Sequence, residues 1–218
     1  MPRYSTVLFD LDGTLLDSTR LILDSFHHTF AKHGLPAQPD DTFLAGVGTP
    51  LRVEFAKHCN RSEEVEAMIA TYREYNFQHH DRMVSAFPGS VACVRTLAAA
   101  GVRLGIVTSK GRHGAQIGLT ALELLDVFEV VVCAEDVTRH KPDPEPVHHA
   151  MNQLGSSPGQ TLFIGDSLHD MRAGRGARVS TGAALWGPFA RKSLALTEPT
   201  YFFEAFDDVT SLVLDAPQ

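Results

Sequence analysis

Five short aliphatic runs, each followed by helix-forming sequence, constrain this chain more than any other feature. They are Thr6–Leu11, Val102–Val107, Phe128–Cys133, Thr161–Ile164 and Val179–Leu185. None alternates strictly with polar residues, which is the pattern of strands buried on both faces. Among the helical segments, Ser90–Ala100 sets Val91, Val94, Leu97 and Ala98 on one stripe and stops at Gly101, while Pro146–Leu154 stops at Gly155. This alternation predicts an α/β fold: a doubly wound, Rossmann-like parallel sheet with a ligand crevice at the carboxyl ends of its strands.

One interval breaks the rhythm. Between Ser18 and Phe87 the pattern is helical and offers no strand. Leu21, Ile22, Phe26 and Phe30 mark a first helix ending near Gly34, and Val65, Met68, Ile69 and Tyr72 mark another over Glu63–Asn76. The expected organisation is a catalytic core of residues 1–17 plus 87–218 and an inserted helical cap domain of residues 18–86. The hinges are expected near Asp17-Ser18 and within Met83–Pro88. A chain of 218 residues suits a core carrying one smaller insertion.

The residues that carry chemistry stand just after the predicted strands. Asp10-Leu11-Asp12-Gly13-Thr14 places two carboxylates at a strand end, where i and i+2 can face one crevice. Gly13-Thr14 lets the chain turn sharply and leaves backbone N–H groups free to face an anion. Thr108-Ser109-Lys110 follows the second strand, Lys141-Pro142-Asp143-Pro144 follows the third, and Gly165-Asp166-Ser167-Leu168-His169-Asp170 follows the fourth. Each has a plain structural alternative. Thr108-Ser109 suits a helix N-cap, Lys141 a solvated surface, and Asp170 a helix start favoured by the macrodipole.

Four such motifs in this order resemble the haloacid dehalogenase superfamily of phosphatases, in its phosphoglycolate phosphatase-like branch. The resemblance implies that Asp10 attacks phosphorus and forms an aspartyl-phosphate. Asp12 would protonate the leaving oxygen and then activate water, its proton affinity expected to be raised by neighbouring carboxylates. It also implies that Gly13, Thr108, Ser109 and Lys141 hold the phosphoryl oxygens. Mg²⁺ is the implied cofactor, held by Asp10, the Asp12 carbonyl and Asp166, with Asp170 either a ligand or a partner behind the ligands.

The helical insert resembles the cap of that branch, and caps set the substrate. The segment from Met68 to Asp81, with Thr71-Tyr72-Arg73 and His79-His80, is similar to its pyrophosphatase members, as is Lys141–Pro146. Tyr72 and Tyr75 equally suit packing, and Arg73 a solvated helix face. Thr49, Arg52, His79 and His80 are the candidate substrate residues, with Arg52 suited to pair bidentately with a leaving carboxylate or phosphate. Arg178 and Ala183 depart from the family, where relatives usually have glycine. Gly46-Val47-Gly48 is set aside as a dinucleotide motif, because Leu51 stands at the third glycine position and no strand precedes it.

A net charge of −7 argues against nucleic acid or anionic lipid as a partner. The apolar runs are strand-sized, so no membrane span is expected, and no secretory h-region is seen. Cys59, Cys93 and Cys133 read as reduced thiols of a cytoplasmic protein. A small phosphorylated anion is the expected partner, with phosphoglycolate and inorganic pyrophosphate leading, and the oligomeric state stays open. A phosphomutase, a phosphatase of sugar or nucleoside phosphates, and a phospho-accepting signalling domain are the alternatives. A haloalkanoate dehalogenase is disfavoured, since it needs neither Asp12 nor the Gly165-Asp166 motif.

Overall fold

The computed structural model describes residues 2–59 and 61–215 of the chain. In chain order the strands are β1 (Thr6–Phe9), β2 (Leu16–Asp17), β3 (Ser85–Ala86), β4 (Arg103–Val107), β5 (Val130–Val132), β6 (Thr161–Gly165), β7 (Ser180–Ala184) and β8 (Tyr201–Phe203). Six form one parallel sheet in the order β5-β4-β1-β6-β7-β8, while β2 and β3 pair antiparallel as a separate ribbon. The helices are α1 (Thr19–Lys32), α2 (Asp40–Leu44), α3 (Leu51–Phe55), α4 (Ser62–Met83), α5 (Ser90–Ala99), α6 (Arg112–Ala121), α7 (Glu145–Leu154), α8 (Leu168–Gly176), α9 (Arg191–Leu194) and α10 (Phe206–Leu214).

The sheet is covered on both faces, as strands without polar alternation require. Val7 and Phe9 of β1 pack with Val94 and Leu97 of α5, Leu119 of α6 and Val209 of α10. Leu8, pointing the other way, packs with Phe163, with Val147 and Leu154 of α7, and with Ala173 of α8. Each fully buried side chain of this size contributes about 1.5–3 kcal/mol. Helices α1 to α4 lie between the two strands of the ribbon in sequence and have an apolar cluster of their own. Phe26 is its centre, stacked on Phe43 at 5.0 Å and edge-on to Phe55 at 5.5 Å and Tyr72 at 5.0 Å.

The sheet register sets up the site. Phe9 of β1 pairs with Ile106 of β4 on one side and Ile164 of β6 on the other. Asp10, Thr108 and Asp166 therefore emerge one or two residues beyond a common level, at the carboxyl edge of three neighbouring strands.

Three elements differ from the sequence expectation. Strand β8 joins the sheet edge, although Tyr201-Phe202-Phe203 is too short to show a period. The β2–β3 ribbon closes the base of the insert with two residues from each side. Helix α4 runs on to Met83 rather than ending near Asn76, because His79-His80-Asp81 continue the helix without adding to its apolar stripe. Of the two departures from glycine, Arg178 adopts the left-handed conformation at φ 61°, and Ala183 is a buried residue of β7 paired with Gly165.

Candidate active site

Asp10, Asp166 and Asp170 bring carboxylate oxygens within 4.8 Å of one another, all three buried. Burial of one charge is costly and burial of three like charges more so, unless cations compensate. Lys141 is one compensating cation. Its Nζ lies 2.6 Å from Asp170 Oδ1, 3.0 Å from Asp10 Oδ1 and 3.2 Å from the Val107 carbonyl. Lys141 is 3% exposed, so the solvated-surface alternative does not describe it. Burial works against its charge, yet the charges of Asp10 and Asp170 outweigh burial and its pKa is raised.

The acids are not equivalent. Asp170 Oδ2 accepts hydrogen bonds from the Ser167 backbone N–H at 3.0 Å and the Ser167 hydroxyl at 2.6 Å, and its Oδ1 accepts from Lys141. Asp166 Oδ1 accepts from the Thr14 hydroxyl at 2.7 Å. Asp166 Oδ2 and Asp10 Oδ1, by contrast, are buried and have no hydrogen-bond donor among the described residues. The cation beside Asp10 Oδ1 is the Lys141 ammonium, an ion pair at 3.0 Å that Lys141 shares with Asp170. An Asp166 Oδ2 with no donor among the described residues and an Asp10 Oδ1 met only by the Lys141 ammonium, in a three-acid cluster, fit a hard divalent cation. Without one, burial and the neighbouring Asp170 charge push Asp10 up to about 7, against the pull of Lys141. Burial, Asp170 and Asp10 likewise hold Asp166 well above the usual carboxylate range.

The turn after β1 is shaped for this cluster. Gly13 has φ +80°, and a Cβ there would meet Asp166 Oδ2 at 2.5 Å, so both its conformation and its neighbour demand glycine. Trp186 donates from Nε1 to the Thr14 carbonyl at 2.9 Å, closing the turn from the β7 side. Thr14 and Trp186 were visible in the sequence, but no signal there showed that they would meet.

Asp12 corrects one expectation. Its neighbours are Lys110, whose Nζ is 2.9 and 3.0 Å from the two carboxylate oxygens, and the Ser18 hydroxyl at 2.7 Å. Burial would raise its pKa, but Lys110, Ser18 and His80 together overcome that and the net effect is a lowering. Crowding by other acids therefore does not raise the proton affinity of Asp12 in this structure.

A cavity of about 510 Å³ lies between the insert and the carboxyl edge of the sheet. Asp10, Asp12, Thr108, Ser109, Lys110 and Asp166 line it from the sheet, and Thr49, Arg52, Tyr72 and Arg73 from the insert. Thr108 is buried and its hydroxyl accepts the Lys110 backbone N–H at 3.1 Å, while the Ser109 hydroxyl is buried without a partner among the described residues. The structure does not bring the two cap histidines into this cavity. His79 lies edge-on to Tyr75 at 4.2 Å and 2.6 Å from Arg82 Nη2. His80 is buried beside a second, shallower groove between α4 and α6. The Gly46–Gly48 turn has a packing role instead: Gly48, at φ +90°, sets the insert against Ser167 and His169, with the His169 ring 3.3 Å from a Cβ position.

A parallel α/β sheet with paired acids and a buried lysine at its carboxyl edge, roofed by a helical insert, defines a class of hydrolytic enzyme. The chain belongs to the haloacid dehalogenase-like hydrolases, whose family model matches residues 7–184. It is 40% identical over 210 residues to the pyrophosphatase PpaX of Anoxybacillus flavithermus, covering 96% of each chain. Among solved structures it resembles a protein of Lactobacillus plantarum provisionally assigned as a phosphoglycolate phosphatase, with a TM-score of 0.84, 26% identity and coverage of 96% and 99%. It also resembles a haloacid dehalogenase-like hydrolase of Streptococcus pneumoniae, with a TM-score of 0.80, 27% identity and coverage of 95% and 98%.

Proposed function

We propose that this protein is a Mg²⁺-dependent phosphatase of small anionic phosphates, with inorganic pyrophosphate the first candidate substrate. The observation that carries this is the buried Asp10–Asp166–Asp170 cluster, with Lys141 in its midst and Asp166 Oδ2 left without a donor among the described residues. Asp10, the Asp12 carbonyl and Asp166 would hold the ion, which supplies charge neutralisation at the reacting phosphoryl group. Asp170 has both oxygens committed, so its part is to fix Lys141 and the Ser167 turn.

In the first half-reaction the Asp10 carboxylate attacks phosphorus and the bond to the leaving oxygen breaks; a phosphate leaving group departs as an anion, since Asp12 is held ionised beside Lys110. In the second, water gives a proton to Asp12 and attacks the aspartyl-phosphate, returning Asp10 and releasing phosphate. Thr108, Ser109 and Lys141 hold the phosphoryl oxygens; Gly13 does not serve as expected, because its backbone N–H is given to the Leu16 carbonyl at 2.8 Å and that of Thr14 to the Leu11 carbonyl. Residues 18–86 act as a cap hinged at the β2–β3 ribbon over a core of residues 1–17 plus 87–218. The free cysteines suit a cytoplasmic setting. The PpaX relative supports pyrophosphate as substrate, and the Lactobacillus plantarum structure makes phosphoglycolate the second candidate.

Asp10→Asn tests the mechanism, because the amide keeps the size and removes the nucleophile. Phosphate release by the folded variant is expected to fall by far more than tenfold, a barrier increase well above about 1.4 kcal/mol. Retention of a tenth of the wild-type rate would refute covalent catalysis by Asp10.

A further inference from the structure

The insert brings two arginines to the cavity, Arg52 and Arg73, and their surroundings differ. Arg52 Nη2 is paired with Glu66 Oε1 at 2.6 Å, within the insert itself. Arg73 forms no ion pair with any described residue, although its guanidinium crosses to the sheet side of the cavity. Its Nη2 lies 3.5 Å from the position a Cβ would take on Gly111. Gly111 directly follows Thr108-Ser109-Lys110 and precedes the ten residues of α6.

The other charged groups beside Gly111 have partners of their own. Lys110 is held by Asp12. Glu135 approaches Gly111 as well, with Oε1 2.8 Å from the same Cβ position, but its Oε2 accepts the Arg112 backbone N–H at 3.0 Å and so caps α6. Arg73 is left as an uncommitted cation at the edge of the loop that carries Thr108. A planar guanidinium with free donors matches an oxyanion bidentately.

We propose that Arg73, rather than Arg52, is the specificity-determining residue of the insert, and that it binds the second anionic group of the substrate. That group is a phosphate in the favoured case. Its contact with Arg73 draws the insert toward the Thr108 loop, so a substrate with two anionic ends binds better than one with a single phosphoryl group. The inference rests on the phosphatase reading and names which residue reads the leaving group.

Titration calorimetry in Mg²⁺ tests it with imidodiphosphate, which has two phosphates and a bridge that resists hydrolysis, and with inorganic phosphate, which fills the transfer site alone. The wild type should prefer imidodiphosphate. Arg73→Ala should cut that preference by about 10- to 100-fold, the worth of a charge-assisted contact. Arg73→Lys should restore part of it, and Arg52→Ala should cost less than Arg73→Ala. Equal losses on both ligands, a larger loss from Arg52→Ala, or no wild-type preference would each overturn the proposal. Equal losses shared with Glu135→Gln would show instead a latch between insert and core. Phosphate release from pyrophosphate is measured alongside. A wild type that binds imidodiphosphate through Arg73 but leaves pyrophosphate intact would sink the pyrophosphatase reading alone.

Discussion

Two lysines place the aspartates of the first motif in opposite electrical settings. Lys141 shares its charge between Asp10 and Asp170, which leaves Asp10 under-compensated in a buried site. Lys110 gives both of its short contacts to Asp12, where Ser18 adds a hydrogen bond. Replacing Lys110 with Met removes the charge and keeps the chain length. The Asp12 carboxyl should then titrate at higher pH than in the wild type, followed by the ¹³C shift of its carboxyl carbon. An unmoved titration would assign the low value to Ser18 instead. That Asp10, Asp12 and Asp166 would meet at one edge of the sheet was legible because each stands just past the end of β1 or β6, whereas Lys141, nine residues beyond β5, was marked only by the family resemblance. The part played by Lys110 was not legible, since it depends on a contact with a residue 98 positions away. Nor was that of Arg73, because an arginine on a mostly polar helix looks the same in sequence whether it faces solvent or a cavity.

At the scale of elements, the strands buried on both faces were readable from their composition, and helices with a clear apolar stripe from their period. What escaped reading was short or polar. The β2–β3 ribbon has two residues in each strand and is fixed by tertiary closure rather than propensity. Helix α4 outruns its apolar stripe, and β8 carries three aromatics with no room for a period. Arg178 shows a further limit. It sits between α8 and β7 in the left-handed region, where a side chain costs about 1–2 kcal/mol more than glycine. The flexibility glycine adds to the unfolded chain offsets about 0.5–1 kcal/mol of that. Arg178→Gly should therefore stabilise the protein by up to about 1.5 kcal/mol, a rise of up to roughly 3–6 °C in Tm. A lower Tm would mean that the arginine side chain makes contacts worth more than the strain.

At the scale of the whole molecule, the fold concentrates its least comfortable charges at one edge of the sheet, and that should be visible in its stability. A carboxyl raised from 3.8 to about 7 on folding, as Asp10 is, binds more protons in the native than in the unfolded state across that window. Its contribution is neutral below the unfolded value and grows as a cost while pH rises, reaching its full size above about 7. Asp166, shifted in the same direction, adds to the cost. The metal-free protein should therefore lose stability from about pH 4 to about pH 7, more steeply than a variant with Asp166→Asn. A divalent cation bound to the ionised cluster reverses the penalty, and must displace protons to bind at low pH. Mg²⁺ at a hundred times its Kd should raise Tm by about 5–10 °C near pH 7.5, corresponding to about 2.7 kcal/mol. The gain should shrink toward pH 5, and chelator should abolish it. Thermal unfolding across pH, with and without Mg²⁺, measures the difference at each pH directly, so other titrating groups largely cancel. A gain of the same size at every pH, or one that survives Asp166→Asn, would place the cation away from these acids.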